Sequence, residues 1–250
     1  MPAQNVEIVF VIDTSDSMQP YIDGLKKNLE NLISPLRQTG LNVSFGLVAH
    51  SVTGHGIYSI QFLKPCNAAL LKQLYSGQYN INDFFTSDPI RFKEILDGLT
   101  TRGDENTPLA LDFALDFPFG PLKNTRRVIA FFSDERIEDG EMSPGWQDMI
   151  PKLVDKVIAR KVLLYGFLPE SPAALTLSEA ERSEMFFWDT HAFSQINFGK
   201  LLAGMGKSIS VSTLQSTQEP EYSRALFGQN TWGDGQADQS FHDKFHHSQQ

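Results

Sequence analysis

Residues 8–12, Ile-Val-Phe-Val-Ile, are apolar without a break. A β-branched and aromatic run of this length predicts a strand covered on both faces. It stops at Asp13, and Ser15 and Ser17 follow at alternate positions. The period then changes. Tyr21, Ile22, Leu25, Leu29, Leu32, Ile33 and Leu36 recur mainly at helical spacing, which predicts an amphipathic helix over 19–38 closed by Gly40. Strands are predicted over 42–51 and 57–63, and the short loop between them makes the second antiparallel to the first. Helices are expected over 68–75, 89–99 and 107–117, the last with Pro108 in its first turn. Arg-Val-Ile-Ala-Phe-Phe at 127–132 is the strongest later strand and runs into Ser133-Asp134. A helix over 146–160, a strand over 162–168, a helix over 173–181, a short strand over 185–188 and a final helix over 201–214 complete the pattern.

Alternating strands and helices predict an α/β fold: a central, mostly parallel sheet with one antiparallel edge strand and helices on both faces. Right-handed crossovers bring the carboxyl ends of the parallel strands to one edge, where ligands of such folds bind. The ordered body is expected to span residues 5–214. Over 215–250 Gln, Ser, Gly, Asp and His dominate, which predicts a polar, flexible tail. Tyr222, Phe227, Trp232, Phe241 and Phe245 are the apolar anchors within it.

Composition narrows the partners. A net charge of −9 argues against a nucleic-acid backbone and against an anionic membrane surface, both of which are bound through Lys and Arg. No apolar run approaches the length of a membrane span, and the first residues carry neither a basic nor a long apolar segment of a signal peptide. Cys66 is the single cysteine, so no intrachain disulfide can form. A cytoplasmic protein is the expectation.

The candidate chemistry lies where predicted strands end. Asp13, Ser15 and Ser17 are one carboxylate and two hydroxyls within five residues, a donor set that suits a hard divalent cation. Asp and Ser are also preferred residues for turns and helix caps, so this stretch alone leaves both readings open. Two later loops, 102–108 before a helix and 131–135 after a strand, also carry oxygen donors.

Together these motifs resemble the von Willebrand factor A (vWA) family. Asp13-x-Ser15-x-Ser17 matches the first piece of that family's metal-ion-dependent adhesion site, Thr107 its mid-domain threonine, and Asp134 the aspartate after a later strand. The resemblance covers roughly residues 5–212. It implies a Rossmann-like vWA fold and a bound Mg²⁺ or Mn²⁺ held by Asp13, Ser15, Ser17, Thr107 and Asp134. It also implies an open coordination position that a Glu or Asp of a partner protein fills. The chain departs from the family pattern twice. Gly103-Asp104-Glu105-Asn106 stands where Gly-Gly usually precedes the threonine, and Glu135 replaces the glycine that commonly follows the aspartate. Asp16 is expected to face away from the metal.

The closing segment 201–210 is similar to bacterial cytosolic members of the tellurite-resistance type. That resemblance implies a stress-response or signalling assembly with kinase and phosphatase partners. Other signals are weaker. Gly206-Lys207-Ser208 ends like a phosphate-binding loop, but Leu201 stands where that loop needs glycine and the segment reads as helix. Haloacid-dehalogenase hydrolases also begin with a strand ending in Asp, yet Ser15 occupies the place of their acid–base aspartate. Arg102-Gly103-Asp104 reads as coincidence. His242, His246 and His247 could share a helix face and bind Zn²⁺, although a polar tail is the simpler reading. His50 and His55 lie near the end of the predicted second strand and could line the metal edge, although satisfied loop histidines are the simpler reading. The leading expectation is a non-enzymatic, metal-dependent protein-binding module. The alternatives are a scaffold with a vestigial or structural metal site that binds through other surfaces, and a metal-dependent phosphohydrolase using Asp13.

Overall fold

The computed structural model describes residues 5–53, 57–140, 145–181, 183–188 and 196–215. The tail beyond residue 215, with its aromatics and its three histidines, lies outside the described residues, as does His55.

The chain opens with β1 (Asn5–Asp13), a short 3-10 turn (Asp16–Met18) and α1 (Gln19–Gln38). Next come β2 (Asn42–Thr53), β3 (Ile57–Gln61), α2 (Ala68–Ser76), α3 (Pro89–Asp97) and α4 (Thr107–Leu115). The second half runs β4 (Thr125–Phe132), α5 (Trp146–Arg160), β5 (Leu163–Leu168), α6 (Pro172–Ser178), β6 (Ser183–Phe187) and α7 (Phe198–Gln215). The six strands form one sheet in the order β3-β2-β1-β4-β5-β6. All neighbours are parallel except β2 and β3, which pair antiparallel at the edge. The expected α/β architecture is therefore present, including its antiparallel edge strand.

The uninterrupted apolar run of β1 follows from burial on both faces. Val6, Ile8, Phe10 and Ile12 belong to one core layer, with α1, α3 and α7. Val9 and Val11 belong to the other, with α2, α4, α5 and α6. Period-two alternation sends successive side chains to opposite layers, and here both layers are apolar.

Helix starts follow local chemistry. Asn67, Asp88, Asn106 and Ser171 each accept a hydrogen bond from a backbone N–H in the first turn of α2, α3, α4 and α6. Proline lies in the first turn of α3, α4 and α6, where its missing N–H costs nothing.

Some predicted boundaries shift. α7 begins at Phe198 rather than Leu201, because Asn197 Oδ1 accepts from Lys200 N at 3.0 Å and caps the extra turn. β6 begins at Ser183 rather than Met185. The Ser183 hydroxyl is buried and donates to the carbonyls of Leu177 and Ala180, so a polar residue occupies an interior strand position. β3 ends at Gln61 and α4 at Leu115, each two residues early. His50 is a buried strand residue rather than a loop residue, and burial pushes its imidazole down to about 3.

The Gly206-Lys207-Ser208 triplet lies inside α7, as its helical reading required. Its glycine has a packing role. A Cβ on Gly206 would lie 2.5 Å from the backbone oxygen of Leu32 and 3.4 Å from the Pro35 ring, both in α1. The Ser208 hydroxyl lies 2.9 Å from the buried Tyr165 hydroxyl of β5. Gly206→Ala is expected to force α7 off α1 and to cost about 1–3 kcal/mol. Chemical denaturation checks this. A midpoint equal to wild type would mean that the two helices separate without penalty.

Among the described residues, no helix is long and apolar enough to cross a membrane.

Candidate metal centre

Asp13, Ser15, Ser17 and Asp134 lie at the carboxyl ends of β1 and β4, and the loop that leads to Thr107 is bonded to the same edge. β1 lies between β2 and β4. The chain leaves it toward β2 on one side and returns to it through β4 on the other. That reversal opens a crevice beyond the strand ends.

Asp13 shapes the first loop. Its Oδ1 accepts from Ser15 N at 2.7 Å and its Oδ2 accepts from the Ser15 hydroxyl at 3.0 Å. A carboxylate accepting from the N–H two residues on is the usual way an Asp turns the chain after a strand. Met18 N then donates to Ser15 O at 3.2 Å and closes the turn that leads into α1. Ser15 Oγ lies 3.4 Å from Ser17 Oγ. Asp16 is exposed in this turn.

The second loop, 102–107, is tied to the same edge by backbone bonds. Arg102 N donates to Thr14 O at 2.7 Å, and Asp104 and Val52 exchange a pair of N–H···O bonds. Thr107, in the first turn of α4, is buried. The third loop follows β4. The Ser133 hydroxyl reaches Asp13 Oδ2 at 3.5 Å and also receives a bond from Glu135 N at 3.2 Å. The Ser17 hydroxyl is near enough to the Asp134 carboxyl to favour its ionised form. Trp188 Nε1 donates to Ser133 O at 3.2 Å and ties the end of β6 to this loop.

The electrostatics are those of crowded, desolvated anions. Asp13 is 0% exposed, and burial pushes its carboxyl up to about 7. The two bonds from Ser15 pull it back, while the charges of Asp134 and Glu135 push it further up. Burial also raises Asp134, against the pull of the nearby Ser17 hydroxyl. Glu105, 1% exposed, lies far above the usual carboxylate range, first through burial and then through the charge of Asp13 and the carboxyls of Asp104 and Glu135. Those neighbours accept hydrogen bonds and donate none while ionised.

Several buried oxygens lack a hydrogen-bond partner among the described residues: Thr107 Oγ1, Asp134 Oδ1 and both oxygens of Glu105. Burying such atoms unpaired is costly. A divalent cation at this edge would take carboxylate and hydroxyl oxygens as ligands and offset the repulsion among the anions. The residues present therefore fit a hard cation. Two participants are not evident from sequence: Ser133, which bonds Asp13, and Glu105, whose burial no local pattern announces.

No protein-family model matches the chain, and no curated protein matches it. Solved structures do. The SpRpn10 VWA domain is 14% identical, with a TM-score of 0.52, over 93% of this chain and 98% of that one. A von Willebrand factor type A protein from Catenulispora acidiphila is 15% identical with a TM-score of 0.50, over 82% of this chain. The pilus adhesin SpaC from Lactobacillus rhamnosus GG, in an open conformation, is 14% identical with a TM-score of 0.50, over 85% of this chain. The chain spans only 43% of the Catenulispora protein and 31% of SpaC. At these identities the likeness is one of architecture, and it defines the chain as having the vWA fold.

Proposed function

We propose that this protein is a metal-dependent protein-binding module without catalytic activity. Asp13, Ser15, Ser17, Thr107 and Asp134 would hold a Mg²⁺ or Mn²⁺ ion, and a Glu or Asp of a partner protein would complete its shell. The observation that carries this reading is that the charges of Asp13 and Asp134 act on each other at one sheet edge, to which the 102–107 loop is bonded, while Thr107 Oγ1 and Asp134 Oδ1 are buried with no hydrogen-bond partner among the described residues. The ion would supply an electrophilic position for a carboxylate. The chain supplies the rest: Ser15 orients Asp13, and β1 and β4 hold the Asp13 and Asp134 carboxylates on one edge. A pilus adhesin with the same fold supports a role in binding.

Catalysis is not part of the proposal. Ser15 stands where phosphohydrolases that begin similarly need their acid–base aspartate. The resemblance of 201–210 to the tellurite-resistance type extends the proposal to a bacterial stress-response or signalling assembly in the cytoplasm, with kinase or phosphatase partners.

Affinity capture on immobilised protein tests the reading. Partners retained with Mg²⁺ are expected to be lost with chelator and lost again with Asp13→Asn as bait. A partner set indifferent to both would favour a scaffold that binds through other surfaces.

A further inference from the structure

We propose that Asp104, Glu105 and Glu135 form a second cation site, beside the group built on Asp13, and that it takes Ca²⁺. One carboxylate oxygen from each residue lies within 4.8 Å of the other two, a separation compatible with a shared ion. The second observation is independent of that clustering. Glu105 is 1% exposed and both its oxygens are buried, with no hydrogen-bond donor reaching either among the described residues. Among the described residues, no lysine or arginine forms an ion pair with Glu105 or Glu135.

The cluster is also held in place. The backbone of Asp104 pairs with Val52 of β2, and Asp104 Oδ1 accepts from Glu105 N at 2.8 Å. Glu135 N is fixed on the Ser133 hydroxyl. A single proton shared between two of these carboxyls satisfies only one of the contacts among them. A divalent ion answers all three at once.

The donor set selects the ion. Ca²⁺ accepts six to eight oxygens, carboxylates in bidentate mode among them, in flexible geometry. Mg²⁺ demands a near-octahedral shell, retains waters and is usually held by one or two carboxylates. Three carboxylates therefore suit Ca²⁺, while the hydroxyl-rich group on Asp13 suits Mg²⁺ or Mn²⁺. Both departures from the family pattern, Glu105 and Glu135, belong to this cluster. One consequence rests on the function proposed above: a second ion would cancel the negative field that otherwise opposes an incoming partner carboxylate.

Calorimetric titration of the full chain with CaCl₂, in saturating MgCl₂, tests the site. Wild type is expected to bind one Ca²⁺, and Glu135→Gln and the double variant Asp104→Asn/Glu135→Gln to weaken it at least about tenfold. Circular dichroism checks that each variant is folded. Asp13→Asn is expected to retain the Ca²⁺ site. Absence of Ca²⁺ uptake by wild type between pH 6.5 and 8 would overturn the proposal and leave the shared proton as the explanation. Loss of Ca²⁺ in Asp13→Asn with retention in the double variant would also overturn it, placing the ion on the first group. A parallel Mn²⁺ titration separates the two readings: Mn²⁺ binding indifferent to Asp13→Asn defeats the function proposed above and leaves the Ca²⁺ result to stand or fall by itself.

Discussion

Asp13→Asn is expected to weaken Mn²⁺ binding by more than about a hundredfold while raising the thermal midpoint of the chelated protein. The first effect follows from position. Loss of residues that merely support metal ligands already costs 10–100-fold in affinity, and Asp13 is proposed as a ligand itself. The second follows from burial. The Asp13 carboxyl is fully buried and raised from 3.8 to about 7, which makes its charge in the folded state a cost of roughly 4 kcal/mol at a pH above both values. Asparagine keeps the shape and an oxygen for Ser15 N, and it removes the charge. A variant that lost stability in chelator would show that the Asp13 charge is offset by something other than an ion. Isothermal titration and differential scanning calorimetry, each with and without chelator, read the two effects separately.

Without metal, the protein is expected to lose stability as pH rises from 6.5 to 8, and with Mg²⁺ this loss is expected to shrink or reverse. Glu105 lies far above its ordinary range in the folded state, so across this window it keeps a proton that the unfolded chain has released. Unfolding then releases a proton, and stability falls by up to roughly 1.4 kcal/mol per pH unit. Asp13 adds to the slope below about 7. His50 has the opposite sign, because its depressed value means that the unfolded chain takes up a proton. That contribution fades above 6.5, which sets the lower bound of the window. A cation competes with those protons and favours the ionised carboxylates, so its stabilising effect grows with pH. Glu105→Gln is expected to flatten the slope measured in chelator. A slope unchanged by that substitution would assign the pH dependence to groups elsewhere.

The sequence carried the fold where apolar periodicity was strong. α1 and α5 begin and end at the predicted residues, and β1 reads as a doubly covered strand because Val6, Ile8, Phe10 and Ile12 face one layer and Val9 and Val11 the other. It failed where a polar group does structural work. Ser183 hides the start of β6 by spending its hydroxyl on two carbonyls, and Asn197 adds a turn to α7 from outside the apolar pattern. The candidate ligands could be named from sequence, since each follows a predicted strand or opens a predicted helix. The crowding around them could not. Glu105 is buried because Asp104 pairs with Val52 and Arg102 with Thr14, contacts between segments far apart in the chain. Local composition shows only an acidic loop, with no sign that one of its carboxylates is shut away from water.

The central position of β1 has a cost in the order of folding. Its backbone needs β2 on one edge and β4 on the other, and Asn5 lies opposite both Asn42 and Thr125. During synthesis β2 arrives early, whereas the β4 edge stays open until the chain has grown past residue 132. For that interval one of the most apolar strands in the protein presents unpaired N–H and C=O groups, a ready template for strands of other chains. Pairings of such long range also close slowly. The topology that lets three loops meet over one strand end therefore leaves that strand exposed to mispairing until the second half of the chain has been made.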